Sequence, residues 1–173
     1  RYIFYLLILL IISCKPAERT NPLDPNNEGR SLLVPSSYPN IQTAIDNAQN
    51  GDTILVNKDT LRGEGNKNIS FQGKAIVVKS EFGPDSAIID LEYNGRAFIF
   101  ENEEDSLSIL DGFTILNGEH DLGGGISCLS NSSPTIKNCI IFNCRSNSGG
   151  AIYAEDSSPS IINCTIDTCT ADL

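Results

Sequence analysis

The sequence predicts an all-β fold, a right-handed, single-stranded parallel β-helix with a short α-helix capping its N-terminal end. Three observations predict it: an internal repeat of 25 to 26 residues, apolar columns that recur within the repeat, and asparagine or glycine at the bend of each copy. Ser108-Ile-Leu-Asp-Gly-Phe-Thr-Ile-Leu-Asn-Gly118 aligns with Pro134-Thr-Ile-Lys-Asn-Cys-Ile-Ile-Phe-Asn-Cys144, 26 residues later, and with Pro159-Ser-Ile-Ile-Asn-Cys-Thr-Ile-Asp-Thr-Cys169 after another 25. Gly123-Gly-Gly-Ile-Ser-Cys128 returns as Gly149-Gly-Ala-Ile-Tyr-Ala154, and each copy runs into Ser-Ser-Pro. A fixed period of this length marks a solenoid, in which each repeat buries its apolar face only against its neighbours.

Comparing columns separates inward from outward side chains, because an interior slot keeps its apolar character while a solvent slot drifts. Leu110/Ile136/Ile161, Phe113/Cys139/Cys164, Ile115/Ile141/Ile166 and Ile126/Ile152 stay apolar or small, whereas Leu116/Phe142/Asp167 does not. The step of two from Phe113 to Ile115 is a strand period, and the step of three from Leu110 to Phe113 requires a bend. That bend falls on Gly112, Asn138 and Asn163, residues that tolerate left-handed backbone at least cost and whose asparagines can stack as a ladder.

Upstream, Thr53-Ile-Leu-Val56, Ala75-Ile-Val-Val78 and Ala97-Phe-Ile-Phe100 recur at 22 residues, which extends the stack to about five coils. At ~4.8 Å per coil the stack is on the order of 25 Å tall. Before them, Ile41, Ala44, Ile45 and Ala48 share one face of a predicted helix ending at Gly51, placed to cover the open first coil.

Residues 1–13 read as an export signal. Arg1 is followed by an apolar run to Ile12 that is too short to cross ~30 Å of hydrocarbon. Residues 14–33, rich in Pro and Asn, form an expected flexible tether, and residues 34–173 the β-helix domain. The chain opens without methionine and stops in mid-coil at Thr170-Ala-Asp-Leu173, so sequence is expected beyond both ends.

Ile11-Ile-Ser-Cys14 resembles the lipobox of bacterial lipoproteins, which implies cleavage before Cys14 and acylation of its thiol. Lys15 stands where an inner-membrane retention aspartate would be, so the resemblance implies an outer-membrane or cell-surface location, with Cys14 anchored in the lipid bilayer. Thr20-Asn-Pro-Leu-Asp-Pro-Asn-Asn27 resembles the Asn-Pro-Phe-Asp-Pro segment that follows the lipidated cysteine in bacterial surface lipoproteins. Tyr38 to Val56, Asp111-Gly-Phe-Thr-Ile115, the Gly-Gly-Gly-Ile-Ser-Cys128 segment and Ser-Ser-Pro-Thr-Ile-Lys-Asn-Cys139 resemble the pectin-lyase-like superfamily, specifically its bacterial right-handed β-helix repeat proteins. The motifs cover about residues 35 to 173 and specify a fold rather than an activity.

The net charge of −10 and the lack of a Lys/Arg cluster argue against nucleic acid. Cys139-x4-Cys144 and Cys164-x4-Cys169 imitate a zinc spacing, but the preceding coil holds Phe113 and Gly118 in the same slots, so a buried thiol ladder is preferred to a disulfide or a metal site. His120 is expected in a solvated loop. Glu101-Asn-Glu-Glu-Asp105 and the pair Asp85 and Asp90 could supply oxygen to calcium, with a solvated charged turn preferred; no cofactor is otherwise expected. Relatives that act on acidic polysaccharides carry Asp/Glu, an Arg or Lys base and often calcium on consecutive coils. Arg96 and Arg145 lie in turns with no evident carboxylate constellation, so no catalytic residue is assigned. The expected function is a monomeric, non-catalytic surface lipoprotein that binds glycans or surface proteins. The alternatives are a lyase, hydrolase or epimerase with its active coils after Leu173, and a structural spacer.

Overall fold

In the computed structural model, which describes residues 29–172, strands of two to four residues recur on three faces of a solenoid. The described chain opens with β1 (Ser31–Val34) and α1 (Ile41–Asn47). The first full coil carries β2 (Thr53–Val56), β3 (Asp59–Leu61) and β4 (Ile69–Ser70), and the second β5 (Val77–Ser80), β6 (Ala87–Asp90) and β7 (Phe98–Phe100). The third carries β8 (Ile109–Asp111), β9 (Thr114–Leu116) and β10 (Ile126–Cys128). The fourth carries β11 (Thr135–Lys137), β12 (Ile140–Phe142), β13 (Arg145–Ser146) and β14 (Ile152–Ala154), and the fifth β15 (Ser160–Ile162), β16 (Thr165–Asp167) and β17 (Thr170–Ala171). All strand pairs are parallel and join successive coils, giving sheets ordered β1-β2-β5-β8-β11-β15, β3-β6-β9-β12-β16 and β4-β7-β10-β14, with β13 beside β17. The chain is therefore an all-β parallel solenoid of about five coils.

The registers place like over like. Leu110 lies beside Ile136 and Ile136 beside Ile161; Ile115, Ile141 and Ile166 align in the same way, as do Ile126 and Ile152. Leu110, Ile136, Ile115 and Ile141 are fully buried, whereas Ile161 and Ile166 in the last coil are 48% and 50% exposed. Phe71, Phe98, Phe100 and Phe113 fill the middle of the stack, with ring centroids 4.6 to 6.1 Å apart, close enough for edge-on aromatic attraction.

Two asparagine ladders hold the bends. Gly112, Asn138 and Asn163 have φ of 77°, 54° and 50°; Asn163 Nδ2 donates to Asn138 Oδ1 at 2.8 Å, and Asn138 Nδ2 donates to Asp111 Oδ1 at 2.7 Å. A second ladder follows the β9 and β12 strands: Asn143 Nδ2 donates to Asn117 Oδ1 at 2.8 Å, and Asn117 Nδ2 donates to Asp90 Oδ1 at 2.9 Å. Asn117 and Asn143 also have positive φ, so at Asn117, Asn138, Asn143 and Asn163 one residue supplies both the bend and a side-chain bond.

Three expectations need correction. The 22-residue spacing upstream mixes two faces: Ile54 pairs with Val78, while Phe98 belongs to another sheet and pairs with Ile69 and Ile126. A buried strand looks the same in sequence whichever face it occupies. The solenoid begins at Ser31 rather than at residue 34, because β1 pairs along β2, so residues 31–33 are not tether. Gly51 is not the helix C′ residue; α1 ends at Asn47, followed by Ala48 in extended conformation. Residues 1–28, with the signal, Cys14 and most of the tether, lie outside the described residues.

The helix buries Ile41, Ala44 and Ile45 and packs against β1, β2 and β4. Asn40 caps it by accepting the Thr43 N–H at 2.8 Å. Gln42 closes the open edge of β4: its Oε1 accepts the Ser70 N–H at 2.9 Å and its Nε2 donates to the Ser70 carbonyl at 3.3 Å. A side-chain amide thus occupies the place of a further strand.

Candidate functional site

The turns that lead from the five-stranded to the four-stranded sheet pile up coil upon coil. Backbone bridges join Gly95 to Glu119, Glu119 to Arg145 and Leu122 to Ser148. This stacking brings Tyr93, Asn94, Glu119, Asp121, Arg145, Asn147 and Asp172 around an open, polar groove of about 560 Å³.

Its side chains are tied across coils. Arg145 Nη2 pairs with Glu119 Oε2 at 2.5 Å, and the Arg145 guanidinium lies 5.0 Å from the centroid of the Tyr93 ring. The hydrogen bond that Arg145 donates to the Glu119 carboxylate raises the Arg145 pKa, so this guanidinium stays charged. The Tyr93 hydroxyl accepts from Asn143 Nδ2 at 2.8 Å, and Asp121 Oδ1 accepts from Asn147 Nδ2 at 3.2 Å. Tyr93 remains 47% exposed.

His120 lies in a loop, partly exposed on the groove, and has a partner there: Arg96 Nη2 lies 2.7 Å from its Nδ1 and 2.8 Å from its Nε2. The Leu122 N–H also points to Nδ1, at 3.4 Å, so Nδ1 is the acceptor of a neutral ring. Burial, and then the Arg96 charge, hold the His120 pKa below its ordinary value. Arg96 is 6% exposed, its Nη1 has no hydrogen-bond partner, and burial lowers its pKa too.

The other candidate residues are placed elsewhere. In the run Glu101 to Asp105, Glu104 is not on a solvated turn: it is 1% exposed and accepts from the Gly73 N–H at 2.9 Å, the Asn102 N–H at 2.9 Å and Ser132 Oγ at 2.8 Å. Asp90 accepts from Asn117 and pairs with Arg62 at 2.8 Å. Among the described residues, no three His, Cys, Asp or Glu side chains are grouped to hold a metal ion.

The five cysteines among the described residues are free thiols, Cys139 one coil from Cys164 and Cys144 one coil from Cys169. The Gly118 N–H points to Cys144 Sγ and the Cys144 N–H to Cys169 Sγ, each at 3.4 Å. Burial pushes the Cys128 and Cys144 thiols up to about 12, which suppresses thiolate. A shared hydrogen bond raises Cys139 and lowers Cys164.

The groove escaped the sequence reading, although its ion pair had a signal: Glu119 and Arg145 are 26 residues apart, the repeat period itself. The Arg96 and His120 contact, at 24, had none. No known protein family, curated protein or solved structure matches the chain, so the fold and the groove carry the functional reading.

Proposed function

We propose that this chain is a non-catalytic, lipid-anchored bacterial surface protein of the right-handed, pectin-lyase-like kind, and that its solenoid binds a neutral, hydroxyl-rich glycan in the turn groove. The groove is the observation that supports this reading most. It offers a half-exposed Tyr93 ring beside the donors and acceptors of Asn94, Asn147, Asp121 and Asp172, the mixture of flat apolar surface and convergent polar groups that sugar rings require. Its three carboxylates against one guanidinium, on a chain of net charge −10, disfavour polyanionic glycans. His120 Nδ1 already accepts the Leu122 N–H and its other nitrogen carries the ring proton, which withdraws it from general-base work.

Titration calorimetry with the purified chain tests the reading. Neutral oligosaccharides are expected to bind and uronate oligomers to bind more weakly or not at all, and Tyr93→Ala to lose at least tenfold in affinity, about 1.4 kcal/mol, with the circular dichroism spectrum unchanged. Absence of binding to any neutral glycan, or equal affinity in Tyr93→Ala, refutes it; release of unsaturated uronate products would instead mark an enzyme. Metabolic labelling with a fatty acid, lost in Cys14→Ala, tests the anchor.

A further inference from the structure

We propose that His120 and Arg96 form a pH-sensitive latch that tightens the 118–122 turn on the solenoid, beyond its backbone pairing, and so steadies one wall of the groove at neutral pH. The proposal rests on the groove being the binding site only for its consequence; the latch itself rests on geometry.

Arg96 is anchored at its backbone, where its N–H donates to Asn68 Oδ1 of the preceding coil at 3.2 Å. Its guanidinium is carried inward, 6% exposed, and takes no part in the ion pairs of the described residues. A buried cation without a carboxylate is costly unless its N–H groups find acceptors. What it meets here is the neutral imidazole of the next coil, with Nη2 2.7 Å from Nδ1 and 2.8 Å from Nε2, and that ring is fixed in turn by the Leu122 N–H. That contact adds a side-chain tie to the backbone pairs, Gly95 with Glu119, Glu119 with Arg145 and Leu122 with Ser148, that hold the same turn between its neighbouring coils.

Protonation reverses the interaction. The imidazolium carries N–H groups at both nitrogens, so it accepts nothing, and it sets a second positive charge against a guanidinium that cannot lose its own. The charges facing the ring are few. Glu119 and Asp121 flank it on its own turn, Arg96 meets it from the preceding coil with Glu101 acting on that guanidinium, and Arg145 from the following coil is bound to Glu119. Asp172 and Tyr93 complete the lining. Asp121 favours the charged ring, but burial and Arg96 outweigh it. Because the folded state prefers the neutral ring, the latch contributes fully above pH about 6.5 and fails as pH falls through the lower folded value. Glu119, His120 and Asp121 all line the groove, so loosening of this turn disturbs one wall.

His120 is the sole histidine of the chain, so no second imidazole contributes to the response. Hydrogen exchange of the whole chain, corrected for the intrinsic pH dependence of exchange, is compared at pH 7.5 and 5.5. The amides of 118–122 are expected to exchange several-fold faster at pH 5.5, with those of β8, β9, β11 and β12 unchanged. His120→Gln, which keeps an acceptor and cannot be protonated, is expected to abolish the difference. In Arg96→Met the ring, followed by proton NMR, is expected to titrate at a higher pH than in the parent protein. Equal exchange at both pH values, a difference that survives in His120→Gln, or an unmoved ring titration in Arg96→Met each overturns the latch. No glycan enters these measurements, so failure of glycan binding leaves the latch standing, and a failed latch leaves the binding reading intact.

Discussion

Glu104 shows how one side chain can join coils. Its carboxylate takes hydrogen bonds from Gly73 in one coil, Asn102 in its own and Ser132 in the next, and almost none of it meets solvent. Three donors converge on two oxygens, an arrangement that only an acceptor-only group satisfies. In Glu104→Gln one oxygen becomes an NH2 that opposes an N–H or hydroxyl donor, leaving a buried donor without a partner. That variant is expected to lose about 1–3 kcal/mol of stability, read as a lower urea midpoint at unchanged slope. A cost within error would mean that the site relaxes or admits water. Nothing in Glu101-Asn-Glu-Glu-Asp105 distinguishes Glu104 from its acidic neighbours; only the turn geometry that aims it inward does so.

Bends are specified by residue pairs across coils. Asn138 meets two demands, a φ of 54° and a rung of the ladder that runs from Asp111 to Asn163. Asn138→Gly keeps the backbone freedom and loses the rung, and is expected to cost about 1–2 kcal/mol for two hydrogen bonds. Asn138→Ala loses both and is expected to cost about 1 kcal/mol more, since a Cβ opposes left-handed backbone. Thermal denaturation of the two variants separates the contributions, and equal melting temperatures would show that backbone preference is irrelevant at this bend. These bends made residues 108–169 readable, because each coil there turns at the same position and successive coils differ by at most one residue. Upstream, the same inward column runs Ile54, Val78 and Leu110 at spacings of 24 and then 32, so no fixed period exists to be found. The strands there were recognised as buried, but their partners were not. The groove was harder still: its walls come from loops whose alignment depends on coil lengths, and the Arg96 to His120 contact follows no period.

The molecule is a one-dimensional stack, so the energetic weight of a residue depends on where along the axis it lies. One end is closed by α1 and the Gln42 amide, whereas in the last described coil the inward side chains Ile161 and Ile166 are half exposed. Ile115, Ile141 and Ile166 occupy one column in identical register, so substituting each by alanine varies position while holding chemistry and strand geometry nearly constant. Ile115 and Ile141 have coils on both sides, and removing three carbons from either leaves a cavity that neighbouring rungs cannot collapse to fill. Each is expected to cost about 2–5 kcal/mol. Within the 173-residue chain Ile166 is paired with a coil on one side, and its truncation exposes little that is not already exposed, so in this chain a loss of about 1 kcal/mol or less is expected. Guanidinium denaturation followed by circular dichroism measures all three. Equal losses would mean that the fifth coil is as tightly held as the fourth, which the half-exposed Ile161 and Ile166 argue against; a graded series would show that stability, like the register, propagates from coil to coil.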